Sequence, residues 1–344
     1  MLKEYIQGFI EEKKIPGAVI HVQRDEDILF QHSCGGYNAR DGSYHSIKED
    51  TIFDIASLTK VVATLPSILV LLMKEEIALE DPVQKFLPDF RYDSVTIQHL
   101  LHHNSGLPAD LTPPVQRGVN RNILLEVYRS QLEYVTGEAV VYSDLGMILL
   151  GEIIQEVSGK ALDRFAENEI FLPLKLQKTN FNPSKELLVN IASTEMVDKQ
   201  YVQGDVHDEK ALLLSGVSGS AGLFSDIGDL VQFAKVWLGI TNQSVIPSEW
   251  MDLCHTLLFQ NRGLGFEVWT GVDPLLSCGR RWSIGSFGHT GFTGTSIWMD
   301  PKEKLFVVLL TNAVHYGRHS YLRELRQGVH DLVYEMYISN KGAY

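Results

Sequence analysis

The chain has 344 residues, of which 44% are hydrophobic and 21% charged. That composition supports a sizeable core in one large domain or two ordinary ones, and excludes a disordered or collagen-like chain. Lys and Arg number 30 against 43 Asp and Glu, a net charge of −13, which disfavours nucleic-acid and polybasic membrane binding.

The first stretch, MLKEYIQGFIEEKK, places Leu2, Tyr5, Ile6, Phe9 and Ile10 at helical spacing, with charges between them. It reads as an amphipathic helix rather than a signal peptide. The chain as given is therefore expected to be cytoplasmic, or secreted if a leader was removed ahead of it. After the Pro16-Gly17 turn, residues 18–23 and 28–34 flank a charged turn and predict a β-hairpin. Residues 57–76, 95–103, 121–130, 144–157 and 160–168 predict helices separated by Pro- and Gly-punctuated loops. The most apolar run, Val61 to Met73, is interrupted by Pro66 and falls short of the ~20 residues that cross a bilayer. Residues 295–299 and 304–311 predict a second hairpin, and Leu322, Leu325, Val329, Leu332 and Val333 a final helix. Strands lie near both ends and helices fill the middle. The expected architecture is an α/β domain built from 1–65 and 210–344, with a mostly helical domain, 66–209, inserted. Cys34, Cys254 and Cys278 are odd in number and contain no CxxC, so reduced thiols are expected.

Ser57 and Lys60 stand three apart at the start of the 57–76 helix, a spacing that puts both side chains on one face. A serine hydroxyl needs a base before it becomes a nucleophile, and a lysine can serve. A helix N-terminus also offers free N–H groups to an oxyanion. Taken alone, SxxK is weak, because chance matches are common and a capping or first-turn serine beside a solvated lysine is the commoner reading. Two later segments add to it: Tyr142-Ser143-Asp144 directly before a helix, and His289-Thr290-Gly291 at the end of a strand-like stretch.

SxxK, then Tyr-x-Asn, then Lys-Thr-Gly is the ordered signature of the serine β-lactamase and penicillin-binding protein superfamily. The chain resembles its class C branch, which also holds D,D-peptidases and β-lactamase-like esterases. The resemblance runs through FDIASLTKVVAT (53–64), LEDPVQKFLPDF (79–90), TIQHLLHHNSGLP (96–108), YSDLGMILLGEIIQEVSG (142–159), GSAGLFSDIGDLVQFA (219–234) and GHTGFTGTSIWMDP (288–301). It implies the β-lactamase/transpeptidase-like fold, an antiparallel sheet flanked by helices with a helical insertion. It implies Ser57 as nucleophile, Lys60 as its base or proton relay, and Tyr142 as the shuttle to the leaving group. His289, Thr290 and Gly291 would border the cleft, and the N–H groups of Ser57 and Phe292 would form the oxyanion hole. No metal or organic cofactor is implied. GDVHDEKA (204–211) is similar to a bacterial subgroup linked to muramyl-peptide recycling.

Two positions depart from the usual pattern. Asp144 stands where Asn is common, and His289 where Lys is common. An aspartate beside Tyr142 and Lys60 favours protonated lysine and disfavours tyrosinate. A histidine at 289 removes a permanent cation. With the ordinary imidazole pKa of about 6.5 it would bind a substrate carboxylate more weakly as pH rises. Of the remaining candidates, His99, His102 and His103 form HxxHH but no HExxH, and are read as packing. His207-Asp208-Glu209 is read as a loop cluster that either touches substrate or merely caps and is solvated. No Walker A, GxGxxG or GxSxG occurs.

These readings converge on a serine hydrolase acting through acyl-Ser57 on a small amide, peptide or ester substrate, such as a cell-wall-derived muropeptide. A β-lactamase proper is the alternative. A catalytically silent binding protein and a metal-dependent hydrolase are the readings from other classes. The pattern leaves the oligomeric state open.

Overall fold

The computed structural model describes residues 1–272, 276–318 and 321–339. Both expected hairpins form. Gly17–Arg24 pairs with Asp27–Asn38, and Ser296–Asp300 with Leu305–Leu310. The two hairpins join because Gly17–Arg24 also pairs with Leu305–Leu310, setting Val19 opposite Leu310. The N-terminal and C-terminal segments thus meet inside one seven-stranded sheet. Its order is Tyr44–Ser46, Asp27–Asn38, Gly17–Arg24, Leu305–Leu310, Ser296–Asp300, Phe287–Thr290 and Glu267–Val268, each neighbour antiparallel.

Alternation along Leu305–Leu310 explains how both faces are covered. Leu305, Val307 and Leu309 pack with Leu2, Ile6 and Phe9 of the first helix and Leu325, Val329 and Val333 of the last. Phe306, Val308 and Leu310 belong to a second, larger core with Leu230, Phe233 and Ala234. Those residues lie on the helix Ile227–Trp237, which is capped by the Asp226 side chain. Because both faces are buried, this strand is a continuous apolar run rather than an alternating one. The helix Ile227–Trp237 and a second helix, Ser248–Thr256, were not among the elements expected from periodicity.

Most of the predicted central helices appear, some of them shorter. They are Ile97–Leu101, Ile123–Arg129, Asp144–Ser158 and Leu162–Ala166. Gly159 adopts φ 69° at the end of the third, a left-handed stop that glycine allows at low cost. The expected 57–76 helix begins at Ala56 and changes pitch. It runs as a 3₁₀ turn (Ala56–Leu58), a π turn (Lys60–Thr64) and an α-helix (Leu65–Met73). Pro66, which has no N–H to donate, falls where the π turn gives way to the α segment. Extended to Ala56, this run is by length and composition long enough to cross a membrane, longer than the apolar run read from the sequence. Nearly all of it is buried in the larger core, however, so its apolar character is accounted for by packing.

A small sheet of Phe53–Asp54, Leu223–Ser225 and Asn180–Phe181 sets the position of the site. Asp54 lies opposite Phe224, and Ile55 N–H donates to Leu223 O at 3.0 Å. The segment leading to Ser57 is therefore pinned against residues 219–225.

Candidate active site

Ser57 sits in a tight turn. Its predecessor, Ala56, has φ 47°, in the left-handed region that an alanine rarely enters. Ala56 N–H donates to Asp54 Oδ1 at 2.8 Å, and Thr59 Oγ1 donates to Ala56 O at 2.6 Å. These two bonds hold the turn. Ser57 is left half-buried on the wall of a 540 Å³ cleft.

Lys60 lies one helical turn on and is fully buried. Its ammonium donates to Ser57 Oγ at 2.9 Å and to Ser220 O at 2.7 Å, and pairs with Asp144 Oδ1 at 2.8 Å. It also lies 5.1 Å from the centre of the Tyr142 ring. Burial pushes the Lys60 pKa down, but Asp144 and then Tyr142 push harder in the other direction, so it stands above its ordinary value. The resting lysine is an ammonium.

Tyr142 immediately precedes Ser143, whose hydroxyl caps the Asp144–Ser158 helix. Tyr142 lines the same cleft as Ser57, with its ring beside the Lys60 ammonium. Burial raises its pKa, and Lys60 only partly offsets that, so the resting tyrosine is neutral. Its ring is flanked by His103 at 4.7 Å, His289 at 5.8 Å and the Arg262 guanidinium at 5.2 Å.

Asp144 occupies the first turn of its helix, where the macrodipole favours an anion. It pairs with Lys60 and, at 3.3 Å, with Lys210. Burial would raise its pKa, but the two lysines overcome this and hold it below the usual carboxylate range. The expectation that Asp144 would favour protonated lysine and neutral tyrosine agrees with this geometry. Lys210 is itself buried among Asp110, Asp208 and Asp144, at 3.0, 3.2 and 3.3 Å.

The opposite wall is the end of the Phe287–Thr290 strand and the turn after it. Thr290, Gly291 and Phe292 line the cleft there, together with His289. A Cβ on Gly291 would lie 2.5 Å from Ile55 O, so only glycine lets this strand end approach the turn before Ser57. Arg326 secures it from behind by donating to Gly291 O and Thr295 O at 2.6 and 2.9 Å. Phe292 is more than half exposed at the mouth, with His207 stacked at 5.7 Å and Arg318 at 5.9 Å.

His289 requires a correction. It was expected to titrate near neutrality and act as a pH-dependent anchor for carboxylates. It is instead only 2% exposed, and its pKa is driven well below the ordinary value by burial, then by Lys60 and Arg262. It is a neutral imidazole across the physiological range, with Nδ1 against Thr290 O at 2.9 Å. Permanent cations reach the cleft from elsewhere, as Lys210, Arg262, Arg318 and Arg326.

Ser57, Tyr142, Asp144, His289, Thr290, Gly291 and Phe292 therefore share one cleft, with Lys60 directly beneath it. His207, Asp208 and Glu209, read from sequence as either substrate-facing or capping and solvated, also line it, and Asp208 caps the Glu209–Leu213 helix by accepting from Ala211 N–H at 2.8 Å. His207 pairs with Glu195 at 3.2 Å. Burial raises the Glu195 pKa, but His207 and Arg318 outweigh it and bring the value down to about 2. The HxxHH histidines do not converge on one point. His99 closes the cap of its own helix, His102 lies against Leu257 O, and His103 accepts from Ser143 N–H and packs on Tyr142. Sequence reading missed Asp54, Glu195, Lys210, Arg262, Arg318 and Arg326. Two of them left a signal, Asp54 inside the 53–64 stretch three residues before Ser57 and Lys210 directly after the His-Asp-Glu triplet, while the other four are lone charged residues without a local motif.

Residues 2–330 match the β-lactamase family. A protein of Bacillus subtilis (strain 168) named N-acetylmuramyl-L-alanine amidase is 31% identical, covering 87% of this chain and 78% of its own length. One of Escherichia coli (strain K12), provisionally named D-alanyl-D-alanine carboxypeptidase, is 30% identical over 87% of this chain and 79% of its own. A solved class C β-lactamase has the same fold, with a TM-score of 0.76 at 19% identity, covering 95% of this chain and 94% of that one. On a match that spans both hairpins, the SxxK turn and the whole cleft, the chain belongs to the β-lactamase family of serine hydrolases.

Proposed function

We propose that the enzyme hydrolyses an amide or peptide bond of a cell-wall-derived muropeptide through an acyl-Ser57 intermediate. The carrying observation is the contact of Lys60 Nζ with Ser57 Oγ at 2.9 Å, beside the Tyr142 ring whose centre lies 5.1 Å from the ammonium. The names of the two curated relatives support the substrate class. A cleft lined by Asp110, Asp208, Glu209, Lys210, Arg262 and Arg318 also suits a polar, charged peptide better than an apolar ester.

Protons balance at each step. The reactive form is the one in which the Lys60–Tyr142 pair has lost one proton. Ser57 Oγ bonds to the substrate carbonyl carbon as its proton moves to that pair. The N–H groups of Ser57 and Phe292 face the developing oxyanion. Tyr142 then delivers the proton to the leaving nitrogen as the C–N bond breaks. A water repeats the sequence in reverse: its proton goes to the pair, its oxygen bonds to the acyl carbon, and Ser57 Oγ leaves carrying that proton. Asp144 and Lys210 hold Lys60 in place throughout.

The test is a substrate panel of a muramyl-L-alanyl peptide, a D-Ala-D-Ala peptide, nitrocefin and a p-nitrophenyl ester, run on wild type and Ser57→Ala. The highest kcat/KM is expected on one of the two cell-wall peptides. Loss in Ser57→Ala should reach several orders of magnitude. Nitrocefin as the best substrate would make the enzyme a β-lactamase proper. Turnover in Ser57→Ala within tenfold of wild type would remove the acyl-serine mechanism.

A further inference from the structure

Asp54 lies outside the SxxK, Tyr-x-Asp and His-Thr-Gly motifs, and it is 2% exposed. Its two carboxylate oxygens have different partners. Oδ1 accepts from Ala56 N–H at 2.8 Å, and Oδ2 accepts from His207 N–H at 2.7 Å. Its main-chain oxygen accepts from Thr293 Oγ1 at 2.7 Å. Ala56 precedes the nucleophile, His207 lines the cleft, and Thr293 follows Phe292. One buried residue therefore bonds to three separate segments of the cleft wall, which are more than 80 residues apart in sequence.

The chemistry of the side chain matters here. Two backbone N–H donors converge on it, and a carboxylate offers an acceptor to each. An amide of the same shape has one acceptor and would turn its NH₂ toward the other donor. A buried carboxylate is costly to keep, so its presence calls for a role that an asparagine cannot fill. The Ala56 turn supplies one. A left-handed alanine is unfavourable on its own and persists where neighbouring groups over-determine it.

We propose that Asp54 is a positioning residue for the Ser57 reaction. It locks the left-handed Ala56 turn and the His207 loop in one register, so that Ser57 and both walls of the cleft keep a fixed geometry. The inference rests on Ser57 being the nucleophile. It assigns Asp54 no contact with substrate.

The experiment measures the rate of Ser57 modification by a fluorophosphonate, followed by intact-protein mass spectrometry, together with kcat and KM on the best substrate. The variants are Asp54→Asn, Ala56→Gly and the double variant. Asp54→Asn is expected to slow labelling roughly 10- to 100-fold and to lower kcat far more than it raises KM, because a misplaced nucleophile costs reactivity. Ala56→Gly should restore the Asp54→Asn rate at least fivefold, because glycine enters the left-handed region without the constraint. A purely structural role predicts lower thermal stability with no such rescue. Labelling of Asp54→Asn at the wild-type rate, or a double variant no faster than Asp54→Asn, overturns the inference. If Asp54→Asn does not fold, Asp54→Glu carries the test, since it keeps the charge but displaces both carboxylate oxygens from the Ala56 and His207 N–H groups. Three- to tenfold slower labelling is then expected, and an unchanged rate overturns the inference. Failure of wild type to label at Ser57, with Ser57→Ala as the control, overturns the acyl-serine reading and this inference together.

Discussion

At the scale of single residues, the site is organised around one surplus proton. Lys60 and Tyr142 are both held in their protonated forms, so the state able to accept the Ser57 proton is the minority one near neutrality. kcat/KM should therefore rise with pH through the alkaline range. Asp144 is a principal cause of the raised Lys60 pKa, and removing its charge lowers that pKa. Asp144→Asn should thus move the rising limb to lower pH, by about one unit or more, as read from kcat/KM profiles of the two proteins. An unshifted limb would show that Asp144 does not set the Lys60 charge. Tyr142→Phe keeps the ring and its packing but deletes the hydroxyl, and should slow turnover by roughly 10²–10⁴-fold. His289 gives the opposite kind of prediction. Since it stays neutral, KM profiles for an acidic and a neutral substrate should run parallel between about pH 5.5 and 8. A selective rise of KM for the acidic substrate would restore the titrating-anchor reading. The Ser57–Lys60 contact was legible because i and i+3 meet on any helical turn. The burial of His289 and the Lys210–Asp144 pair were not, because each depends on elements far apart in the chain.

At the scale of elements, the close approach of the Asp144–Ser158 helix to the 218–222 segment fixes the floor of the site. A Cβ on Gly219 would lie 2.0 Å from Met147 O, a backbone atom that cannot swing aside. Gly219 O also accepts from Thr64 Oγ1 at 2.8 Å, and the next carbonyl, Ser220 O, is bonded to Lys60. Gly219→Ala should therefore cost about 2 kcal/mol or more in urea unfolding and lower kcat by displacing a partner of Lys60. A variant as stable and as active as wild type would contradict this packing. The elements themselves were unevenly legible. The two hairpins stood out because short turns separate apolar runs, and the 144–157 helix because Ser143 and Gly159 mark its ends. The helix Ile227–Trp237 was passed over, since Gly228 interrupts its start and its apolar face is buried against a strand distant in the chain. The pairing of Gly17–Arg24 with Leu305–Leu310 left no local trace at all.

At the scale of the whole molecule, burial of histidines couples stability to pH. His103, His289 and His330 are buried with pKa values pushed down, that of His330 to about 4. A histidine depressed in the folded state binds its proton more readily when unfolded. Stability is then full above the unfolded value of about 6.5 and is lost as pH falls toward the folded value. Asp54 and Asp226, raised by burial, act in the opposite sense, while Glu195, lowered to about 2, adds a further loss below its ordinary range. The balance predicts a Tm that falls by several degrees between about pH 7 and 5. A flat Tm across that interval would mean that these imidazoles are solvated in solution. The acyl-Ser57 intermediate itself is tested most directly by trapping it. Wild type mixed with a muramyl-L-alanyl peptide is acid-quenched within its first turnovers, digested, and analysed by mass spectrometry. An acyl adduct is expected on the peptide containing Ser57, absent from Ser57→Ala, with release of the amine-bearing product. Steady hydrolysis of that peptide by Ser57→Ala, or an adduct on any other residue, would contradict the acyl-serine mechanism.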